Sequence, residues 1–240
     1  MASGAGEPRE DKERMFVKIC GIRKLADAEA AVDYGASAIG FVFWRDSPRF
    51  IDPYRARIIA RAMPPFVTPV GVFVNQPAVE VNAVAALVGL GAVQLHGDET
   101  IAYASGIRRP VVKALPCDDS VCDGEAEAWP ARMTLLLDVS DPARRGGTGR
   151  TVNWATAATI SARRRILLAG GLRAENVAEA ITLVRPFGID VSSGVESAPG
   201  VKDRGRLRAL FEAIAVGCDH LRSAEKPAID GRLVRGSMTS

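Results

Sequence analysis

Short apolar runs alternate with stretches of helical period from Phe16 to about Ser193. The runs Phe16 to Ile19, Ala38 to Phe43, Val70 to Val74, Ala92 to Leu95, Val111 to Leu115, Thr134 to Leu137, Arg165 to Ala169 and Gly188 to Ser192 read as strands. Most are continuous in Val, Ile, Leu and Phe, as expected of strands covered on both faces. Between them, apolar residues recur at i, i+3, i+4 and i+7, as in Val81, Val84, Ala85 and Val88, in Val177, Ala180, Ile181 and Val184, and in Leu207, Leu210, Phe211 and Ile214. Each of these helices has one apolar face to lay on a sheet. Strict alternation of strand and helix calls for parallel pairing, and eight units predict a single closed (β/α)8 TIM barrel, with an open doubly wound sheet as the alternative. The weakest unit is Pro116 to Arg132, where Asp, Gly and Pro leave the helix in question.

The ends of the chain lack this pattern. Residues 1–15 and 219–240 are polar and aperiodic, so they are expected to be flexible extensions of a barrel domain spanning 16–218. With 240 residues and 48% hydrophobic content, one domain can bury a sizeable core. The 31 basic residues against 28 acidic ones leave a net charge of +3, and no like-charge run exceeds Arg163-Arg164-Arg165. No basic stripe with interleaved aromatics is present, so a nucleic-acid partner is not expected. The first fifteen residues carry no apolar signal core, and no run of about 18 apolar residues follows, which predicts a cytoplasmic protein without a membrane partner. Cys20, Cys117, Cys122 and Cys218 form no CxxC pair and do not cluster with His96 or His220, so neither a disulfide framework nor a metal site is expected. Oligomeric state stays open between monomer and homodimer.

In such a barrel, chemistry sits at the carboxyl ends of the strands. The first strand ends in Cys20-Gly21, the second leads to Ser47-Pro48-Arg49, and the fourth ends in Gln94-Leu95-His96-Gly97. The sixth ends in Asp138, the seventh in Gly170-Gly171, and the eighth in Asp190-Val191-Ser192-Ser193-Gly194. Gln94 and His96 are two apart and share a face, as do Lys18 and Cys20. An ammonium inside a barrel needs a carboxylate partner, for which Asp190 is the candidate. Read singly, each residue has a plainer role. Cys20 packs as a small hydrophobe, Asp138 caps a turn, His96 is a structural histidine, and Arg49 is exposed in its loop. The functional alternative for Arg49 is a bidentate grip on a carboxylate. Gly170-Gly171 and Ser193-Gly194 follow the last two strands, where barrels commonly cradle phosphate on backbone N–H groups. Gly146 and Gly147, in a glycine-rich stretch after the sixth strand, add to the case for a small phosphorylated ligand.

Taken in order, Lys18-Ile19-Cys20-Gly21-Ile22, Gly40-Phe41-Val42-Phe43 with Ser47-Pro48-Arg49, Val72-Phe73-Val74-Asn75, Val93-Gln94-Leu95-His96-Gly97, Leu137-Asp138, Gly146-Gly147-Thr148-Gly149, Ala169-Gly170-Gly171-Leu172 and Asp190 to Glu196 resemble the phosphoribosylanthranilate isomerases of tryptophan biosynthesis. The resemblance runs from about Val17 to Ile214. Arg150 stands where the family's glycine-rich loop usually ends in lysine, and Val152-Asn153-Trp154 replaces a more usual Phe-Asp-Trp.

The resemblance implies an Amadori rearrangement without cofactor. Asp138 would be the general acid toward the furanose ring oxygen, and Cys20 the base that removes the sugar C2 proton. Arg49 would hold the anthranilate carboxylate, with Gln94, His96 and Asp190 lining the substrate site. The glycines and Ser193 would hold the phosphate. A free Asp with a pKa of about 3.9 is ionised at neutral pH and a free Cys at about 8.5 is a thiol, so both roles ask for a shifted environment. Lys18 is expected to favour the thiolate of Cys20. Another phosphosugar isomerase or epimerase, including the related histidine-pathway aminoaldose isomerase, would share the phosphate site with a different acid and base. A non-catalytic sugar-phosphate binder would need neither Cys20 nor Asp138.

Overall fold

The computed structural model describes residues 15–117, 121–138 and 152–225. Gly146, Gly147 and Arg150 lie outside the described residues, as do 1–14 and 226–240. The elements are β1 (Phe16–Cys20), α1 (Leu25–Tyr34), β2 (Ala38–Val42), α2 (Pro53–Ala62), β3 (Thr68–Phe73), α3 (Ala78–Val88), β4 (Ala92–Leu95), α4 (Ile101–Ser105), β5 (Val111–Pro116), α5 (Val121–Ala128), β6 (Thr134–Asp138), α6 (Trp154–Ser161), β7 (Ile166–Leu168), α7 (Val177–Val184) and β8 (Gly188–Val191). After β8 come a 3-10 turn (Ser193–Val195), a short antiparallel hairpin of β9 (Glu196–Ala198) and β10 (Val201–Lys202), and α8 (Arg204–Glu225). Eight parallel strands pair in sequence order, and β8 returns onto β1 to close the barrel.

All eight expected strands are present in this barrel, with ends shifted by a residue or two. The helix in question after β5 forms as α5. At the C-terminus the helix does not stop at the expected boundary of 218 but runs to Glu225, with Leu207, Leu210 and Ile214 buried along its inner side. Residues 219–225 therefore belong to α8. Asn153, one of the two departures from the family pattern, caps α6: its Oδ1 accepts from the backbone N–H groups of Ala155 and Thr156. An asparagine performs this capping as well as an aspartate. Among the described residues, no helix is long and apolar enough to cross a membrane, and no three His, Cys, Asp or Glu side chains gather as metal ligands.

Two-residue periodicity divides each strand between two cores. Val17, Ile19, Phe41, Leu135, Leu137, Leu168 and Ile189 face outward and pack with helix residues such as Ala28, Ile59, Val81, Ile160, Ile181 and Leu210. The barrel interior holds a smaller apolar plug of Ala114, Leu136, Leu167 and Ala169. Nearer the mouth, Cys20, Val42 and Val72 form a second inner cluster. Polar side chains fill the remaining interior: Lys18, Gln94, Asp138 and Asp190 are all buried.

Lys18 is the most demanding of these, at 1% exposure. Its register partner across the β1–β8 seam is Asp190, and Nζ donates to Asp190 Oδ1 at 2.9 Å. Burial pulls the ammonium's pKa down; Asp190, and then Cys20, outweigh it, so the group sits above the ordinary lysine value. Removing one member of such a pair strands the other charge, whereas removing both is far milder. Asp190→Ala should therefore cost about 3–5 kcal/mol in urea unfolding, and the Lys18→Met/Asp190→Leu double variant should recover much of that loss. Additive losses in the double variant would contradict a coupled pair.

Candidate active site

The carboxyl ends of the strands bring three groups of polar side chains to one mouth. The first surrounds Cys20, the last residue of β1, which is 7% exposed and in register with Gly40 of β2. A Cβ on Gly40 would lie 2.8 Å from the Cys20 Sγ and 3.1 Å from the Lys18 Cε, so glycine leaves the space in which both inward-facing side chains stand. The backbone carbonyl of Cys20 accepts from the Ser192 Oγ at 3.2 Å, tying β1 to the segment after β8. Burial pushes the Cys20 thiol up; Lys18 opposes that, Asp190 adds to it, and Lys202 again opposes it. The balance is above the ordinary cysteine value. The expected influence of Lys18 is thus present but does not prevail, because burial outweighs it.

The second group links β4 and β6. Gln94 and His96 share a face, and Gln94 Nε2 lies 2.9 Å from His96 Nδ1. With the amide donating to Nδ1, the ring proton belongs on Nε2, which lies 3.4 Å from Asp138 Oδ2. Gln94 Oε1 is buried without a hydrogen-bond partner among the described residues. Asp138 ends β6, and its carbonyl accepts from the Cys117 amide at 2.8 Å. The turn carrying His96 is fixed from outside the mouth. Glu99 accepts from the Gly97 and Asn75 amides, and Lys113 donates to both the Gly97 carbonyl and Glu99 Oε2. This buried pair was not anticipated from the sequence, and only strand alternation in β5 could have pointed to Lys113.

The third group contains Arg49. Its side chain is 12% exposed, not the solvated loop arginine of the plainer reading. Its Nε donates to Glu196 at 3.0 Å and its Nη2 at 2.7 Å, an edge-on bidentate pair. Lys202, from β10, donates to Glu196 Oε1, which also accepts from Arg49 Nε, at 2.8 Å and to the Ser192 carbonyl at 3.1 Å. Burial would raise the Glu196 pKa, but Arg49 and Lys202 hold its carboxyl below the ordinary value. Burial dominates at Lys202 and lowers its pKa despite Glu196. Lys202 escaped the sequence reading because the short β9–β10 hairpin has no recognisable period.

Of the glycines expected to hold phosphate, Gly170, Gly171 and Gly194 lie within the described residues. Gly170 and Gly171, both with positive φ, turn the chain after β7, and Asn176 Nδ2 donates to the Gly171 carbonyl at 3.1 Å. Ser193 and Gly194 form the 3-10 turn after β8. The structure thus brings Cys20, Arg49, Gln94, His96, Asp138, Gly170, Gly171, Asp190, Ser193 and Gly194 to the strand ends on one side of the barrel. Asp190 is already engaged by Lys18, so it stands in the site as a counter-ion.

A parallel (β/α)8 barrel with buried titratable groups gathered at its carboxyl mouth is the architecture of barrel enzymes. The family model described as N-(5'phosphoribosyl)anthranilate (PRA) isomerase matches residues 17–213. A curated N-(5'-phosphoribosyl)anthranilate isomerase from Pelobacter propionicus is 49% identical over 81% of this chain and 93% of its own length. The crystal structure of phosphoribosyl anthranilate isomerase from Thermotoga maritima is 41% identical, covering 84% of this chain and 99% of the other, with a TM-score of 0.79. A phosphoribosyl anthranilate isomerase in complex with reduced 1-(o-carboxyphenylamino)-1-deoxyribulose 5-phosphate is 40% identical over 84% of this chain and 99% of its own, with a TM-score of 0.76. The chain belongs to the N-(5'-phosphoribosyl)anthranilate isomerase family.

The raised pKa of Cys20 has a direct chemical readout, since only the thiolate alkylates. In the ligand-free protein, iodoacetamide labelling of the Cys20 peptide, followed by mass spectrometry, should still be accelerating as pH passes 9. A rate that levels off at neutral pH would show a thiol with a lowered pKa instead.

Proposed function

We propose that the barrel converts N-(5-phosphoribosyl)anthranilate to 1-(2-carboxyphenylamino)-1-deoxyribulose 5-phosphate, the Amadori step of tryptophan biosynthesis, with Asp138 as acid and Cys20 as base. The observation that supports this best is a buried thiol ending β1 and a carboxyl beside His96 ending β6 at one barrel mouth, in a chain that matches the isomerase family over residues 17–213.

Each step follows from charge placement. The substrate phosphate binds the backbone N–H groups around Gly170, Gly171, Ser193 and Gly194, and the anthranilate carboxylate binds Arg49. Asp138 gives its proton to the furanose ring oxygen as the C1–O bond breaks, leaving an open-chain Schiff-base cation. Cys20 takes the C2 proton, the C2–H electrons form the enolamine double bond, and the cation is neutralised at nitrogen. Reprotonation at C1, with loss of the enol proton, gives the ketone. No electrons leave the substrate, so the reaction needs no redox partner.

The free site favours a neutral thiol, so the base must be generated in the complex. A substrate cation beside Cys20 adds to the effect of Lys18 and favours the thiolate when it is needed. His96 places its Nε2 3.4 Å from the Asp138 carboxylate, and Gln94 sets the tautomer of His96.

Cys20→Ala and Asp138→Asn should each lower kcat by about a hundredfold to ten-thousandfold, the range of one acid–base group, while inorganic phosphate still inhibits at similar concentration. Near-normal turnover in either variant would remove that residue from its role. Intact phosphate binding with no turnover even in the unaltered protein would indicate a sugar-phosphate binder. His96→Asn should lower kcat more than it raises KM, with the fold retained.

A further inference from the structure

Arg49, Glu196 and Lys202 form a buried row of three charges with one positive charge in excess. Glu196 takes only one edge of the guanidinium, through Nε and Nη2. The remaining edge, which carries Nη1, has no recorded partner among the described residues. The stem of Arg49 lies directly over Gly21, where a Cβ would come within 2.7 Å of its Cδ, so the guanidinium crosses the strand end next to Cys20. The Lys202 side chain is completely buried, and it donates to Glu196 and the Ser192 carbonyl. The neighbouring groups do not cancel the excess. Arg206 donates to the Glu196 backbone carbonyl and Asp27 accepts from the Lys202 amide, one charge of each sign. Lys18 and Asp190 balance each other.

A buried ammonium with a lone acidic partner already shared with an arginine is costly unless a further anion completes the set. We infer that Glu196 and Lys202 are the specificity apparatus for the substrate carboxylate: Glu196 clamps Arg49 edge-on so that its free edge faces the mouth, and Lys202 supplies the positive excess that a carboxylate neutralises. This rests on the isomerase reading above and adds to it two positioning residues that touch no reacting atom. A neutral phenylamino analogue would leave the excess charge buried and uncompensated. Selectivity thus comes from the cost of leaving a buried charge unpaired, as well as from the contact itself.

The test compares two ligands that differ only at this group: reduced 1-(2-carboxyphenylamino)-1-deoxyribulose 5-phosphate and its phenylamino counterpart. Both are titrated calorimetrically against the unaltered protein, Lys202→Met and Lys202→Arg. The unaltered protein should prefer the carboxylated ligand by about a hundredfold or more, and Lys202→Met should lose about tenfold of that preference by weakening the carboxylated ligand alone. Lys202→Arg, which keeps the charge, should restore most of it. In turnover, Lys202→Met should raise KM for the carboxylated substrate more than it lowers kcat. Equal weakening of both ligands in Lys202→Met would show a merely structural lysine and overturn the inference. So would a preference below tenfold in the unaltered protein, which needs no variant to fold. Strong preference without any turnover would instead retain the carboxylate receptor and overturn the isomerase reading.

Discussion

A lysine inside a barrel constrains everything around it. Lys18 points into the lumen from the first strand, and at 1% exposure its ammonium is supported only by protein groups. The seam between first and last strands places Asp190 opposite it, so closure of the barrel and neutralisation of the charge are the same event. The chain folds this way because the outer faces of the strands are mostly apolar, leaving inward positions free to carry chemistry. Small apolar clusters, Ala114, Leu136, Leu167 and Ala169 below and Cys20, Val42 and Val72 nearer the mouth, fill the rest of the interior in the ordinary hydrophobic manner.

From that constraint the mouth acquires its electrostatics. Cys20 stands above Lys18 with two ammonium groups and one carboxylate acting on it, and burial still keeps it a thiol in the free site. In the proposed reaction, a Cys20 held neutral until a cation forms next to it suits a substrate whose ring must open first. On the opposite side, Gln94 Nε2 is hydrogen-bonded to His96 Nδ1, and His96 Nε2 lies 3.4 Å from the Asp138 carboxylate. The hairpin after β8 closes the ring with Glu196 and Lys202, so the last part of the barrel supplies both the turn proposed to hold phosphate and the partner of Arg49.

How much of this was readable in advance depended on whether a residue's role is local. Strands such as Leu135 to Leu137 declare themselves by composition, and the helical stripe of Val177, Ala180, Ile181 and Val184 by spacing. The pairing of Lys18 with Asp190 followed from alternation and the cost of burying a charge. The roles proposed for Cys20 and Asp138 came from the resemblance to the family, since no spacing rule could give them. By contrast, the edge-on hold of Glu196 on Arg49 joins residues from the two ends of the barrel, and Lys202 sits on a strand of two residues. Such contacts arise from closure, which brings β8 against β1 and has no signature in either segment. The end of α8 was misplaced for a different reason: polar residues after Cys218 lie on the exposed side of a helix, where polarity says nothing about order.

The central claim is that this mouth rearranges a phosphoribosylated anthranilate by proton transfer alone. The most direct measurement follows the fluorescence of freshly generated N-(5-phosphoribosyl)anthranilate with the unaltered protein, against the spontaneous decay of the same solution. The account predicts catalysed loss of signal into the carboxyphenylamino deoxyribulose phosphate, with no added metal or redox cofactor. Decay no faster than background, in a protein shown to be folded, would contradict it.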